Sequence, residues 1–309
     1  MKKEKEQQIQ VGGQAVIEGV MMRSPDYFTV AVRKPDGEIA LQKKAYQSLS
    51  KRFKILGWPF IRGGVTLIES LVLGVKALNF SSAMAMTEEE AEKTKSKESD
   101  SKWTNLMTGG TVLFSLVIGF ALFFYLPLML TEWTGVKGGI LFNVIDGGIR
   151  LVIFLAYLIL ISLWKEIRRI FEYHGAEHKS IFAFEAGKSL TLENVRGYTT
   201  HHPRCGTSFL LIVMVVSIIV FVFLGRPETI GDRLIRFLFI PLIGGISYEI
   251  IRLSSKKWGS AIARYLVAPG LWMQKITTQE PSDDQLEVAL VALKAALNQP
   301  VDIKVETVS

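Results

Sequence analysis

The stretch Ser208–Leu224, SFLLIVMVVSIIVFVFL, contains no charged residue and decides the fold class of this chain. An α-helix needs roughly 20 apolar residues to cross the hydrocarbon core of a bilayer. Three other apolar runs of similar length extend from about Leu106 to Leu130, from about Ile140 to Trp164 and from about Leu234 to Leu253. The pattern therefore predicts an α-helical integral membrane protein with about four transmembrane helices.

The composition agrees with this interpretation. The 309 residues have a mean hydropathy of +0.28 and a net charge of +7, which is too apolar for an ordinary soluble protein and too charged for a chain buried entirely in a bilayer. Trp103, Trp133 and Trp164 lie at the ends of the first two runs, as expected of rings that prefer the headgroup level. The fourth run is the least regular of the four, because it contains Arg236, Pro241 and the pair Gly244 and Gly245, and a kink is expected in it.

Lysine and arginine are unevenly distributed around the apolar runs. The segment before the first run holds 17 of the 36 basic residues and the loop 165–207 holds seven, whereas the loops 131–139 and 225–233 hold one and two. Under the positive-inside rule both termini and the loop 165–207 are cytoplasmic, which predicts a multi-pass protein of the cell membrane. The positive charge then predicts contact with the lipid bilayer and not specific nucleic-acid binding. No apolar stretch occurs in the first 50 residues, so no cleavable signal peptide is expected.

Five units are predicted along the chain. Residues 1–57 form a cytoplasmic unit with β content, in which the turn Lys34 to Gly37 is typical of a hairpin. Residues 58–86 form an amphipathic helix on or partly in the inner leaflet, with a re-entrant or spanning helix left open as an alternative. The remaining units are a charged linker (87–102), a four-helix membrane domain (103–253) and cytoplasmic C-terminal helices (254–309), namely an interfacial helix over 261–276 and a last helix opened by a Ser282–Gln285 capping box.

A few charged residues lie in or beside the apolar runs, where each is costly. Asp146 and Arg150 are one helical turn apart, which predicts a local ion pair or a binding site for a polar group near the outer face. Glu249, near the cytoplasmic end of the fourth run, is a candidate acid. Arg168 and Arg169 follow the second run and are interpreted as topology anchors.

All four histidines lie within a stretch of 29 residues. His174 and His178 flank Glu177 in the pattern H-x-x-E-H, on a helical periodicity that continues from the second run. Two imidazoles at positions i and i+4 share one helix face and can bind one tetrahedral metal ion, with the glutamate as a base or as a partner of a ligand.

A catalytic zinc ion needs a third protein ligand and an open coordination position. The third ligand would come from His201, His202, Cys205 or Glu172. The turn around Pro203 leads directly into the third apolar run, so it should lie close to the helix that leaves the second run. We therefore predict a divalent metal site, most simply for zinc, at the cytoplasmic membrane surface.

Each of these residues also has a simpler interpretation. His174 and His178 could be interfacial polar residues that cap helices or bind lipid phosphate. His201 and His202 could only shape a loop. Cys205, the single cysteine, could be a small structural residue.

The segments GGQAVIEGVMMRSP, GWPFIRG, EYHGAEHKSIFAFE and HHPRCGTSFL together resemble the bacterial YqhQ-like family, uncharacterised membrane proteins described as metal-dependent enzymes. The resemblance extends in order from about Gly12 to the end of the fourth run. It implies a membrane protein, and it implies that the histidine region belongs to the family's signature: His174, Glu177, His178, His201, His202 and Cys205. It supplies no substrate.

Two functional hypotheses follow from different classes of protein. The first is a membrane metal-dependent enzyme, most simply a zinc hydrolase in which Glu177 activates water. The second is a non-catalytic scaffold or assembly factor in protein insertion or secretion, with a protein partner at its cytoplasmic face and a structural metal or none. The glycine-rich segment with Glu18 and Arg23 favours the second hypothesis, unless it packs against the histidine site and completes it.

Overall fold

The computed structural model describes residues 10–87, 101–256, 260–301 and 303–308. Most of the predicted charged linker, residues 88–100, lies outside this range. The chain is mainly helical with one small sheet. The strands are β1 (Gly12–Val16), β2 (Gly19–Arg23), β3 (Tyr27–Arg33), β4 (Ile39–Ala45) and β5 (Val305–Val308). The helices are α1 (Leu49–Arg52), α2 (Ile61–Ala85), α3 (Ser101–Phe120), α4 (Leu126–Trp133), α5 (Gly139–Ser162), α6 (Lys165–Glu185), α7 (Leu192–Arg196), α8 (Gly206–Leu224), α9 (Ile230–Leu238), α10 (Ile240–Lys256), α11 (Ala261–Thr277) and α12 (Asp283–Ala296).

The sheet is an antiparallel meander of β1 to β4, to which β5 adds in parallel beside β4. The turn predicted from Lys34 to Gly37 is confirmed, because β3 and β4 pair on either side of it, from Arg33 opposite Ile39 onward. The glycine-rich segment forms the β1–β2 hairpin, which the sequence pattern did not indicate. Since β5 comes from the C-terminus, the N-terminal unit and the C-terminal tail share one sheet.

Each face of the sheet is covered by helices. On one face Val16, Phe28 and Val30 pack against Ala77 of α2. On the other face Val20, Met22 and Ala31 pack with α6 and α12. The predicted Ser282–Gln285 capping box opens α12 as expected, and Leu286, Leu290 and Leu293 are buried. The residues predicted as separate units 1–57 and 254–309 thus form a single core, because α12 supplies the apolar surface that a lone hairpin lacks.

Four helical segments are long and apolar enough to cross a membrane: Gly109–Trp133, Gly139–Ser162, Gly206–Leu224 and Gly231–Ser254. The first contains a π-helical turn, Ala121–Tyr125, between α3 and α4. The fourth is broken between α9 and α10 at Phe239, two residues before Pro241, which confirms the predicted kink. A second break, at Leu163 and Trp164, separates α5 from the histidine helix α6.

The charged residues near the spans have specific partners. Arg150 Nη2 donates to Asp146 Oδ2 at 2.9 Å, which confirms the predicted ion pair. Arg62 of α2 forms a bidentate pair with Glu249, at 2.7 and 2.6 Å. Arg169 pairs with Glu18 of the β1–β2 hairpin, so it joins the sheet to α6 in addition to any role in topology.

Candidate metal centre

His174 and His178 lie on one face of α6, and their ring centroids are 4.4 Å apart. Both Nδ1 atoms face backbone carbonyl oxygens: that of Thr277 at 2.8 Å from His174, and that of Thr200 beside His178. A carbonyl can only accept, so each Nδ1 carries the proton and each Nε2 keeps its lone pair. This is the arrangement that orients imidazoles for metal binding, with the second nitrogen held by a backbone acceptor.

Cys205 completes a three-residue group with this pair. Its Sγ lies 3.2 Å from His174 Nε2. Cys205 is also the N-cap of α8, and the Thr207 N–H donates to Sγ at 3.4 Å. One ligand atom from each of His174, His178 and Cys205 lies within 4.8 Å of the other two. We call these three residues the histidine–cysteine group.

The donor set, and the one distance between its nitrogen and sulfur atoms, fit a zinc ion. Zinc is bound at about 2.0–2.1 Å by histidine nitrogen and at about 2.3 Å by cysteine sulfur, so ligand atoms in a tetrahedral site are separated by roughly 3–4 Å. The 3.2 Å between His174 Nε2 and Cys205 Sγ agrees with that spacing. Three protein ligands leave the fourth position of a tetrahedral ion open. His178 and Cys205 are only 2% and 5% exposed, whereas His174 is half-buried, so solvent reaches the group on the His174 side.

Glu177 lies beside this group and is buried. Burial raises the pKa of its carboxyl group, while His174, His202 and the Gly13 N–H oppose that increase. Gly13 of β1 comes so close that a Cβ there would lie 2.8 Å from Glu177 Oε1. The glycine-rich hairpin therefore forms one wall of the site.

The four histidines do not converge on one point. The His202 ring lies 5.6 Å from the His178 ring, but its Nδ1 accepts from the Arg204 N–H at 3.2 Å and its Nε2 faces Glu185 at 3.5 Å. Burial lowers the pKa of His202 to about 4, so the ring is neutral at physiological pH. His201 interacts with Thr199 Oγ1 at 3.2 Å instead.

Glu172 is also directed away from the histidine–cysteine group, because it accepts from Gln285 Nε2 of α12 at 2.9 Å. Of the candidate third ligands, Cys205 is the one that the structure places with His174 and His178.

Two groups that the sequence did not indicate build the site. Gln274 of α11 is fully buried, accepts from the His202 N–H at 2.7 Å, and donates to the His202 carbonyl at 2.9 Å. Gly175 lets the chain after α11 approach α6, since a Cβ at this position would overlap the Gln279 carbonyl oxygen. A glycine inside a helical periodicity was the available signal, because such a glycine often marks a close approach of backbone.

The comparisons with known proteins show which family the chain belongs to. The family model described as "Protein of unknown function (DUF1385)" matches residues 58–299. The chain belongs to the DUF1385 family. It is similar to "Uncharacterized protein YqhQ" of Bacillus subtilis (strain 168), with 33% identity over 296 residues that cover 93% of this chain and 92% of that protein. No solved structure matches. The resemblance to the YqhQ-like family is thus confirmed, and the DUF1385 match includes the whole histidine–cysteine group.

Proposed function

We propose that this DUF1385 protein is a metal-dependent membrane enzyme, most simply a zinc hydrolase, with its site at the cytoplasmic membrane surface. The observation that carries the proposal is the convergence of His174 Nε2, His178 and Cys205 Sγ, with both Nδ1 atoms bound to carbonyl oxygens. Held there, a zinc ion would supply a Lewis acid that makes water acidic near neutral pH.

The residues around the group have distinct tasks in this proposal. His174, His178 and Cys205 bind the ion and leave one position for water or substrate. Glu177 takes up a proton from water at its carboxylate and returns it to the leaving group, a role suited to a carboxyl group whose pKa is raised by burial. Gly13 N–H holds one oxygen of that carboxylate in place.

The membrane arrangement is part of the proposal. The four apolar helices cross the cell membrane, with the sheet, α6, α11 and α12 on the cytoplasmic side. The distribution of basic residues supports this orientation. Because Cys205 is the residue before span α8, the site then lies at the level of the lipid headgroups. Substrates of three kinds reach that level: a lipid headgroup, a membrane peptide or a cytoplasmic small molecule.

Metal content of the purified full-length protein tests the proposal. We expect about one zinc ion per chain by elemental analysis, and near-background zinc in His174→Ala, His178→Ala and Cys205→Ala, since two ligands no longer make a tight site. His201→Ala is the matched control and should keep its metal, because His201 interacts with Thr199 instead. A wild-type protein that contains no metal above background would refute the proposal of a metal-dependent enzyme.

A second candidate function is a non-catalytic scaffold with a structural metal. The near-complete burial of His178, Glu177 and Cys205 favours it, because structural zinc sites are closed. Glu177→Gln separates the two candidates. In the enzyme this variant keeps its metal and loses the cellular function, as scored by complementation of a deletion strain. In a scaffold it keeps both, while His178→Ala loses both.

A further inference from the structure

The segment 49–85 leaves the sheet and returns to it. It starts next to Tyr46, which packs on the α2 face of the sheet, and it ends with Phe80 and Met84 on that same face. Glu69, within α2, accepts from the Tyr46 hydroxyl at 2.8 Å and from the Ser48 hydroxyl at 2.9 Å. Both ends of the segment therefore lie on the sheet side, so the segment turns back and does not cross to the other side of the molecule.

The far end of this segment packs against α10 in the fourth apolar span. A Cβ at Gly245 would lie 2.5 Å from the Phe60 carbonyl oxygen, and a Cβ at Gly63 would lie 2.9 Å from the Tyr248 Cβ. Gly245 precedes Ser254, where the span ends, by nine residues, a rise of about 13 Å along a helix. In the proposed orientation Phe60 thus lies well inside the cytoplasmic leaflet.

Glu249 fixes this end of the segment to the span. Its carboxylate accepts two hydrogen bonds from Arg62, at 2.7 and 2.6 Å, and one from the Phe60 N–H. This set of bonds accounts for an acidic residue near the end of an apolar run, where an unpaired charge would be costly.

Phe60 is the central residue of a γ-turn. Its φ of +66° and ψ of −47° lie in a region that side chains rarely adopt, and the Ile61 N–H donates to the Pro59 carbonyl at 2.8 Å. Such strain persists only where the surroundings determine the conformation. Gly245 and Glu249 supply those surroundings.

The turn leaves a group of large apolar side chains uncovered by protein. Five of them are between 43% and 64% exposed: Phe53, Ile55, Trp58, Phe60 and Ile61. Three exposed basic residues precede them or lie among them, namely Lys51, Arg52 and Lys54. An apolar tip beside basic side chains is typical of elements that insert into an anionic membrane surface.

We propose that residues 49–85 form a re-entrant element in the cytoplasmic leaflet. The apolar side chains of its tip, residues 53–61, lie among the acyl chains, and the long side chains of Lys51, Arg52 and Lys54 reach the phosphates of anionic phospholipids. This inference rests on the proposed orientation of the four spans.

Spin-label accessibility of the full chain in lipid nanodiscs tests the insertion. Trp58→Cys and, separately, Ile55→Cys are labelled in a Cys205→Ser background. Leu116→Cys, exposed on the first span, is the lipid control, and Lys188→Cys, in an exposed loop, is the water control. We expect both test labels to be more accessible to oxygen than to a water-soluble nickel chelate, as we also expect of the label at Leu116. Labels that behave like the one at Lys188 would refute the re-entrant element, whereas a water-accessible label at Leu116 would refute the spans.

Lipid composition tests the role of the basic residues. We expect the label at Trp58 to move deeper in nanodiscs that contain phosphatidylglycerol than in phosphatidylcholine alone. The triple variant Lys51→Gln/Arg52→Gln/Lys54→Gln should lose that difference. Lys43→Gln/Lys44→Gln/Lys188→Gln removes the same charge elsewhere and should retain it. Equal depth in both lipids, or equal behaviour of the two triple variants, would refute the lipid contact.

Discussion

Two polar clusters of this molecule, each partly buried, direct their hydrogen bonds differently. One is the histidine–cysteine group, and the other is a membrane polar cluster of Asn143, Asp146, Arg150 and Arg236. In the membrane polar cluster Arg236 Nη2 donates to Asn143 Oδ1 and to the Gly225 carbonyl, both at 2.7 Å. Asn143 Nδ2 in turn donates to the same carbonyl at 2.9 Å. These bonds connect α5 with the turn before α9.

In the histidine–cysteine group the hydrogen bonds lie on the outer side of each ring. The Nδ1 atoms are bound to carbonyls of Thr277 and Thr200, and the ligand atoms that remain lie within 4.8 Å of one another. Polar side chains in contact therefore do not by themselves indicate a binding site. The two clusters differ because each imidazole of the histidine–cysteine group is held by a carbonyl at one nitrogen and keeps the other near a shared point, whereas the donors of the membrane polar cluster are directed at acceptors on other helices and turns.

The largest expected effect is on the membrane polar cluster. Arg150→Leu removes the ion-pair partner of Asp146, which is 2% exposed, and leaves a buried unpaired carboxylate. We expect the free energy of unfolding in detergent micelles to fall by about 4 kcal/mol, with no change in the zinc content of the protein that folds. Arg196→Leu breaks a pair whose side chains are more than half exposed and should change stability little. A similar loss of stability in Arg150→Leu and Arg196→Leu would contradict the distinction between a buried and an exposed ion pair.

The pH dependence of stability sharpens the comparison on the cytoplasmic side. The pKa of His202 is about 4 in the folded protein, where the ring is buried, and 6.5 for an exposed histidine. Below pH 6.5 the unfolded chain therefore binds more protons than the folded protein does. The contribution of the neutral His202 ring to the free energy of unfolding is complete above about pH 6.5. It is lost as the pH falls toward about 4, and its full size is about 3 kcal/mol. Denaturant titrations of wild type and His202→Gln across this range measure it. The variant should show a weaker pH dependence, and parallel curves would contradict the prediction.

A smaller effect on stability is expected where the backbone of α6 contacts the backbone of the chain that follows α11. Gly175→Ala places a Cβ against the Gln279 carbonyl and should lower the free energy of unfolding by about 2 kcal/mol. Zinc affinity should fall too, because Thr277, which orients His174, lies on the segment that must move. Gly148→Ala on α5 is the matched control, since its Cβ would meet no atom within 4 Å. An equally stable Gly175→Ala protein would show that α6 tolerates displacement.

The smallest effect on stability is expected at Glu177, the buried acid beside the histidine–cysteine group. Because burial raises the pKa of Glu177 in the folded state, its ionised form opposes folding at neutral pH. Glu177→Gln should therefore raise the free energy of unfolding of the metal-free protein by about 1 kcal/mol. The gain should shrink as the pH falls below the raised pKa and should be absent below 4.5, the ordinary pKa of the carboxyl group. A destabilised Glu177→Gln protein at neutral pH would indicate a structural carboxylate.

Local patterns in the sequence predicted much of the fold. The apolar runs, the turn at Lys34 to Gly37, the kink near Pro241 and the capping box at Ser282 all occur where expected. The pairing of His174 with His178 also followed from helical spacing. The strands around Gly13 were not predicted, because their side chains lack a clear alternation and their pairing depends on packing against α6 and α2.

What the sequence determined by itself is what depends on neighbours along the chain: hydrophobic length, charge balance between loops, and two histidines one helical turn apart. The tertiary structure alone decided that Cys205, and not His201 or His202, joins them. That choice depends on Gln274 and Thr277, about 70 residues away along the chain from Cys205, which fix the His202 backbone and the His174 ring. The direction in which a side chain points is set by such distant contacts, and no local pattern encodes it.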